Sequence, residues 1–168
     1  MTRNLLRSLL ALLVLGFAFA KPAQALCLPA VCTCTTVTTN VAFGSYAPMA
    51  FGNTSTTGTI KVTCGGVIGL LIPYSIALST GSSGSFTNRQ MKSGSNVLSY
   101  NLYTDSSYAT VWGDGTSSTQ VVSSSVTLDA LGLSPGQTFY VYGSIPGRQT
   151  TAVPGTYADT IGVTVTYY

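Results

Sequence analysis

The residues with the widest chemical reach in this chain are four cysteines, Cys27, Cys32, Cys34 and Cys64. In an oxidising compartment an even set of thiols forms disulfides, while a close pair such as Cys32 and Cys34 can also start a zinc site. The zinc reading fits poorly, because the Cys-x-Cys spacing is too tight and the chain carries an export signal, described below. Four cysteines allow three pairings, and the sequence alone does not choose among them. Cys34–Cys64 with Cys27–Cys32 is the preferred set. The first bridge would close a loop of about 30 residues and stabilise by roughly 3–4 kcal/mol in the chain-entropy model.

Other chemistries are thin. The chain has no His and no Glu, and its Asp+Glu total is 4. Serine is abundant, but no imidazole is present to activate it. Arg89, Lys92, Asp105 and Asp114 are a candidate polar cluster, with loop charges and structural hydrogen-bond partners as the preferred reading. Trp112, followed by Gly113-Asp114-Gly115, is a candidate sugar-stacking patch, and a packed aromatic beside a tight turn is preferred for it. Asp159 sits where it could cap a turn. No catalytic, cofactor-binding or metal-binding residue is assigned, and no cofactor or small-molecule substrate is expected.

The N-terminus reads as a secretion signal. Arg3 and Arg7 precede the apolar run 9–20, and Ala23-Gln24-Ala25 is a small-x-small cleavage pattern. The run is too short for a membrane span of ~20 residues. The expected organisation is a signal peptide at 1–25 and one domain at 26–168. Arg3, Arg7 and Lys21 leave with the signal. The formal +3 of the chain, with 7 Lys+Arg, then falls to 4 basic against 4 acidic residues. Nucleic acid and anionic membrane are thereby disfavoured as partners, since both need a cationic surface.

The elements that must position these residues are strands. After residue 25 there is no helical period, only short alternating runs broken by Gly, Ser, Asn and Pro. Strands are expected near 35–41, 58–64, from Pro73 to Leu78, and over 96–103. Further ones are expected over 109–112, within 120–128, over 137–145 and over 157–168. The last run places Ile161, Val163, Val165 and Tyr167 on one face and Thr160, Gly162, Thr164 and Thr166 on the other. Six to eight such strands make an all-β two-sheet sandwich.

Taken in order, several pieces resemble the spore coat protein U domain family, which includes subunits of archaic chaperone–usher pili. They are Val41-Ala42-Phe43-Gly44-Ser45-Tyr46, Ile60-Lys61-Val62-Thr63-Cys64, Asn88-Arg89-Gln90-Met91, Leu98-Ser99-Tyr100-Asn101-Leu102-Tyr103-Thr104-Asp105 and Val111-Trp112-Gly113-Asp114-Gly115. Val141-Tyr142-Gly143 and the stretch from Pro154 to Tyr167 complete the set. The resemblance spans about 34–168. It implies an immunoglobulin-like sandwich that lacks its final strand and is completed by donor-strand complementation. The chain would then be a structural subunit of an exported fibre or coat. Its partners would be a periplasmic chaperone, an outer-membrane usher and homologous subunits. It would pass through the periplasm to the cell surface. A surface adhesin or glycan-binding module is the alternative.

On this reading Ile161, Val163, Val165 and Tyr167 form the edge that accepts a donor strand. The sequence ends at that run, in keeping with a missing final strand. An unpaired edge beside an open apolar core has to be covered, and strand addition covers it. Leu26, Leu28 and Ala30 alternate and form the candidate donor segment. It departs from the family pattern, because only residues 26–33 precede Cys34, at most ~27 Å of extended chain. Pro29 and the two cysteines shorten it further.

Overall fold

The computed structural model describes residues 32–69 and 71–168. The signal peptide, Cys27 and the candidate donor residues Leu26, Leu28 and Ala30 lie outside them. Eight strands follow in order: β1 (Cys32–Thr39), β2 (Thr54–Gly66), β3 (Leu71–Leu78), β4 (Arg89–Ser93), β5 (Asn96–Tyr103), β6 (Val122–Thr127), β7 (Gln137–Ile145) and β8 (Val163–Tyr167). They form a five-stranded sheet, β1-β2-β7-β5-β4, and a three-stranded sheet, β6-β3-β8. All ladders are antiparallel.

The alternation in the sequence is what buries one face of each strand. In β3, Ile72, Tyr74, Ile76 and Leu78 are buried and the residues between them are not. In β2, Ile60, Val62 and Cys64 point inward, and in β5 Leu98, Tyr100 and Leu102 do. These two faces meet in one apolar core between the sheets. Each fully buried aliphatic side chain contributes about 1.5–3 kcal/mol. Cys34 lies opposite Cys64 across β1 and β2, and the two form a disulfide. Cys32, also buried, is disulfide-bonded too. Neither thiol is left to ligate zinc.

Three expectations need correction. Residues 109–112 are not a strand. Val111 and Trp112 make only isolated bridges, because this segment passes between the sheets. Trp112 N–H donates to the Leu102 carbonyl of one sheet, and the Gly113 carbonyl accepts from Leu78 N–H of the other. The last run is regular in sequence but pairs with β3 only from Val163 onward. Upstream of that point, Ala158 bridges Lys92, and Gly162 N–H is held by Ser79 Oγ at 2.8 Å. Finally, β4 was not expected. Its inward positions are Arg89 and Met91, so a buried cation stands where an apolar residue would have announced the strand.

Candidate functional site

The two sheets do not close on each other everywhere. β8 is the edge of the small sheet and β1 the edge of the large one. The two edges approach each other. Where they part, a cleft opens into the core. A first part of about 390 Å³ lies between Ile161 and Val163 on one wall and Thr38–Phe43 on the other. Its floor includes Ile60, Leu78, Met91, Tyr100 and Leu102. A second part of about 630 Å³ continues past Phe43 and Met91 to Leu98, Ile145 and Ala152. Val41, Ala42, Phe43, Met91 and Tyr157 line both parts, so they are one continuous groove.

Each wall has a distinct cause. Along β8 and the residues leading into it, Ile161, Val163, Val165 and Tyr167 are all half-buried against the core, while Thr160, Gly162, Thr164 and Thr166 are exposed. The expected stripe is therefore brought together on one face. The opposite wall was missed by sequence reasoning. After β1 the chain runs on without a ladder, yet Val41 and Phe43 pack into the core and Ala42 and Gly44 face outward. Phe43 meets Tyr100 edge-on at 5.9 Å between ring centroids. Gly143 of β7 allows this approach, because a Cβ there would collide with both Val41 and Phe43. The alternation of Val41 and Phe43 with Ala42 and Gly44 was the signal that could have found this wall. The Met91 floor went unseen because β4 did.

The groove has one polar corner. Asp159 accepts hydrogen bonds from Tyr100 Oη at 2.7 Å, Ser82 N–H at 2.9 Å and Thr160 N–H at 2.9 Å. It holds the distant Gly81–Ser83 turn through Ser82 N–H, whereas the sequence suggests a cap on the turn just before it. Gly81 has φ +67, and a side chain there would strike the Asp159 carboxylate. Burial, and then the bond to Asp159, push the Tyr100 hydroxyl far above its ordinary pKa. It remains a neutral donor at any physiological pH.

Arg89, Lys92, Asp105 and Asp114 do not assemble into one site. Arg89 is fully buried and fans across three elements. It donates to Ser79 O at 2.8 and 3.1 Å, to Asn101 Oδ1 at 2.7 Å and to Trp112 O at 2.7 Å. Burial lowers its pKa, opposed by Tyr100 and Asp159 nearby. Lys92 is exposed on β4. Asp105 and Asp114 each organise their own turn. Trp112 is 0% exposed and donates Nε1–H to Ile76 O at 2.9 Å, so it offers no face to a sugar. The stacking patch is overturned, and the packed-aromatic reading stands.

Asp105 carries a pH signature. The Ser107 hydroxyl, then the N–H groups of Ala109 and Thr110, hold its carboxyl down to about 2. A depressed carboxylate contributes stability that is complete above the unfolded pKa of ~3.9 and is lost as pH falls through the folded one. The difference in melting temperature between the parent and Asp105→Asn is therefore expected to be constant from pH 7 to ~4 and to shrink toward pH ~2. A difference that does not change over that range would show that the turn draws nothing from the charge.

Comparison with known proteins places this geometry in context. The family model of the Spore Coat Protein U domain matches residues 23–164. A chain of the crystal structure of the CsuC–CsuE chaperone–tip adhesion subunit pre-assembly complex, from archaic chaperone–usher Csu pili of Acinetobacter baumannii, is similar at a TM-score of 0.53 and 25% identity. The similarity covers 80% of this chain and 40% of that one, so the present chain spans well under half of its neighbour's length. No curated protein matches the chain.

Proposed function

The chain belongs to the Spore Coat Protein U domain family, and from that premise we propose that it is an exported structural subunit of a surface fibre or coat, completed by a strand from a partner. A signal at 1–25 sends it to the periplasm, and the domain at 26–168 is assembled on the cell surface. A periplasmic chaperone covers the groove first, and an outer-membrane usher exchanges that cover for a strand of another subunit. Residues Leu26, Leu28 and Ala30 are the candidate segment offered in return. The chaperone–tip adhesion subunit pre-assembly complex to which the structural neighbour belongs, from chaperone–usher pili, supports this assembly route.

The observation that carries the reading is the open groove beside the unpaired edge of β8. An extended strand laid along β8 would satisfy backbone groups on that edge, and every second side chain would enter the groove. Ile161, Val163, Val165 and Tyr167 supply the receiving stripe. The occupant must therefore alternate apolar and polar residues. Sites for acid/base work are not needed, because the product of the reaction is an interface.

The test is to append to Tyr168 a short Gly/Ser linker and an alternating apolar strand. The control is the same strand with its alternation shifted by one residue, which turns its apolar set away from the groove. The in-phase strand is expected to raise the melting temperature and suppress aggregation. At this chain length each kcal/mol of net gain is worth roughly 2–4 °C. Equal behaviour of the two strands would overturn the strand-acceptor assignment.

A further inference from the structure

The two ends of the sandwich carry exposed apolar platforms that the groove does not use. β2 is 13 residues long and separates them by about 40 Å. At the end where β1 begins, Val67 (52% exposed), Ile68 (63%), Leu131 (80%) and Leu133 (54%) lie on two loops. The loops are tied together, with Gly66 N–H donating to Gly132 O at 2.8 Å and Gly65 bridging Leu133. Asp129 stands in this platform. Its Oδ1 accepts from Leu131 N–H and Leu133 N–H at 2.8 and 3.0 Å.

At the opposite end, next to the start of β2 and the end of β7, Met49 (75%) and Phe51 (80%) project from a second platform. It too is locked. Arg148 N–H donates to Ala50 O at 2.8 Å, and Gly147 N–H donates to Asn53 Oδ1 at 3.1 Å. Arg148 has φ +61, an uncommon conformation for a side-chain-bearing residue, and its guanidinium sits 4.6 Å from the centre of the Phe51 ring. The second platform is thus apolar and positive, whereas the first is apolar and negative.

We propose that these two platforms are the halves of one head-to-tail interface between copies of this chain, with Val67, Ile68, Leu131 and Leu133 of one subunit seated against Met49 and Phe51 of the next. Charge complementarity selects this occupant. A second copy offers Arg148 to Asp129, whereas like ends brought together would oppose two Asp129 carboxylates or two Arg148 guanidinium groups. Two different patches at opposite ends make a heterologous contact, which propagates as an open filament unless the rotation between copies closes a ring. The proposal rests on the fibre-subunit reading and adds a body-to-body contact beside the strand. Rigid, hydrogen-bonded platforms also lose little freedom on docking.

The test uses single-cysteine variants of the full mature chain, Phe51→Cys and Leu131→Cys, with a short bis-maleimide. Both side chains are exposed on loops, and the parent has no free cysteine among the described residues. Mixing the two variants is expected to give mixed dimers, and a chain carrying both should give a ladder. Phe51→Cys mixed with Val97→Cys, on the exposed side of β5, should give at least tenfold less. Adding Arg148→Glu to the mixture should slow cross-linking several-fold. Dimers formed equally by either variant alone would mean that like ends pair and would overturn the proposal. So would a mixed yield no higher than the Val97 control. The same pair built on the chain with the appended strand separates the two readings. Cross-linking must persist there, since the groove is filled, and a linker-only extension after Tyr168, which leaves from the end carrying Val67 and Ile68, controls for cover of that platform. Loss of cross-linking relative to that control would assign the contact to the groove and overturn the platform interface.

Discussion

Arg89→Leu is expected to lower the unfolding free energy by about 3–5 kcal/mol, a large share of the ~5–15 kcal/mol typical of such a domain. The side chain is fully buried, and its donors serve Ser79 O, Trp112 O and Asn101 Oδ1. Asn101 Oδ1 keeps a second donor, Leu102 N–H at 2.9 Å. The carbonyls of Ser79 and Trp112 lose the guanidinium, and an unsatisfied buried acceptor costs ~1–3 kcal/mol. Ser79 follows β3 in the small sheet, Asn101 lies in β5 of the large one, and Trp112 is on the segment passing between them. The guanidinium therefore ties the sheets together at the level of the groove floor. Arg89→Lys should recover less than half of the loss, because an ammonium cannot present the planar fork. Urea titrations read the change as a shifted midpoint at constant slope. Replacement of a buried charge by an apolar side chain is sometimes neutral. A Leu variant within ~1 kcal/mol of the parent would show that desolvation had already cancelled the network.

The same residue explains where sequence reading stopped. The bounds of β5 and β7 coincide with the expected runs 96–103 and 137–145, because Leu98, Tyr100 and Leu102 in one and Phe139, Val141 and Ile145 in the other recur on the inward face, although Asn101 and Ser144 are buried too. β4 breaks that apolar recurrence at Arg89, and only the three-dimensional acceptor set makes a cation acceptable there. Trp112 shows the converse. Its four-residue run looked like a strand, yet its main chain bonds to both sheets in turn, and no local pattern encodes a crossing. The acceptor stripe of the groove was legible because it is local to one strand. The wall of Val41 and Phe43 left only its alternation with Ala42 and Gly44 as a local signal, while its seat against the core depends on Gly143, a hundred residues downstream, leaving room for it.

Removing the Cys34–Cys64 bridge by Cys34→Ala and Cys64→Ala is expected to cost roughly 3–4 kcal/mol, the chain-entropy value for a sequence separation of 30. The argument for a functional consequence is stronger than that figure alone. β1 pairs only with β2, and beyond Cys34 its side chains are exposed, Val37 at 69%. Little apolar burial fastens this edge strand beyond Cys34, so the ladder and the disulfides at Cys32 and Cys34 must do so. The chain leaving β1 supplies Thr38, Thr39, Val41 and Phe43 to the groove wall. Loss of the bridge should therefore loosen the wall before it unfolds the sandwich. Amides of Thr35 and Val37, at the hydrogen-bonded positions of the β1–β2 ladder, are expected to lose hydrogen-exchange protection while those of β7 keep theirs. The appended strand described above should then stabilise the variant much less than the parent. If β1 stays as protected as β7 and the strand stabilises both proteins equally, the disulfide acts only on the unfolded chain and plays no part in keeping the groove ready.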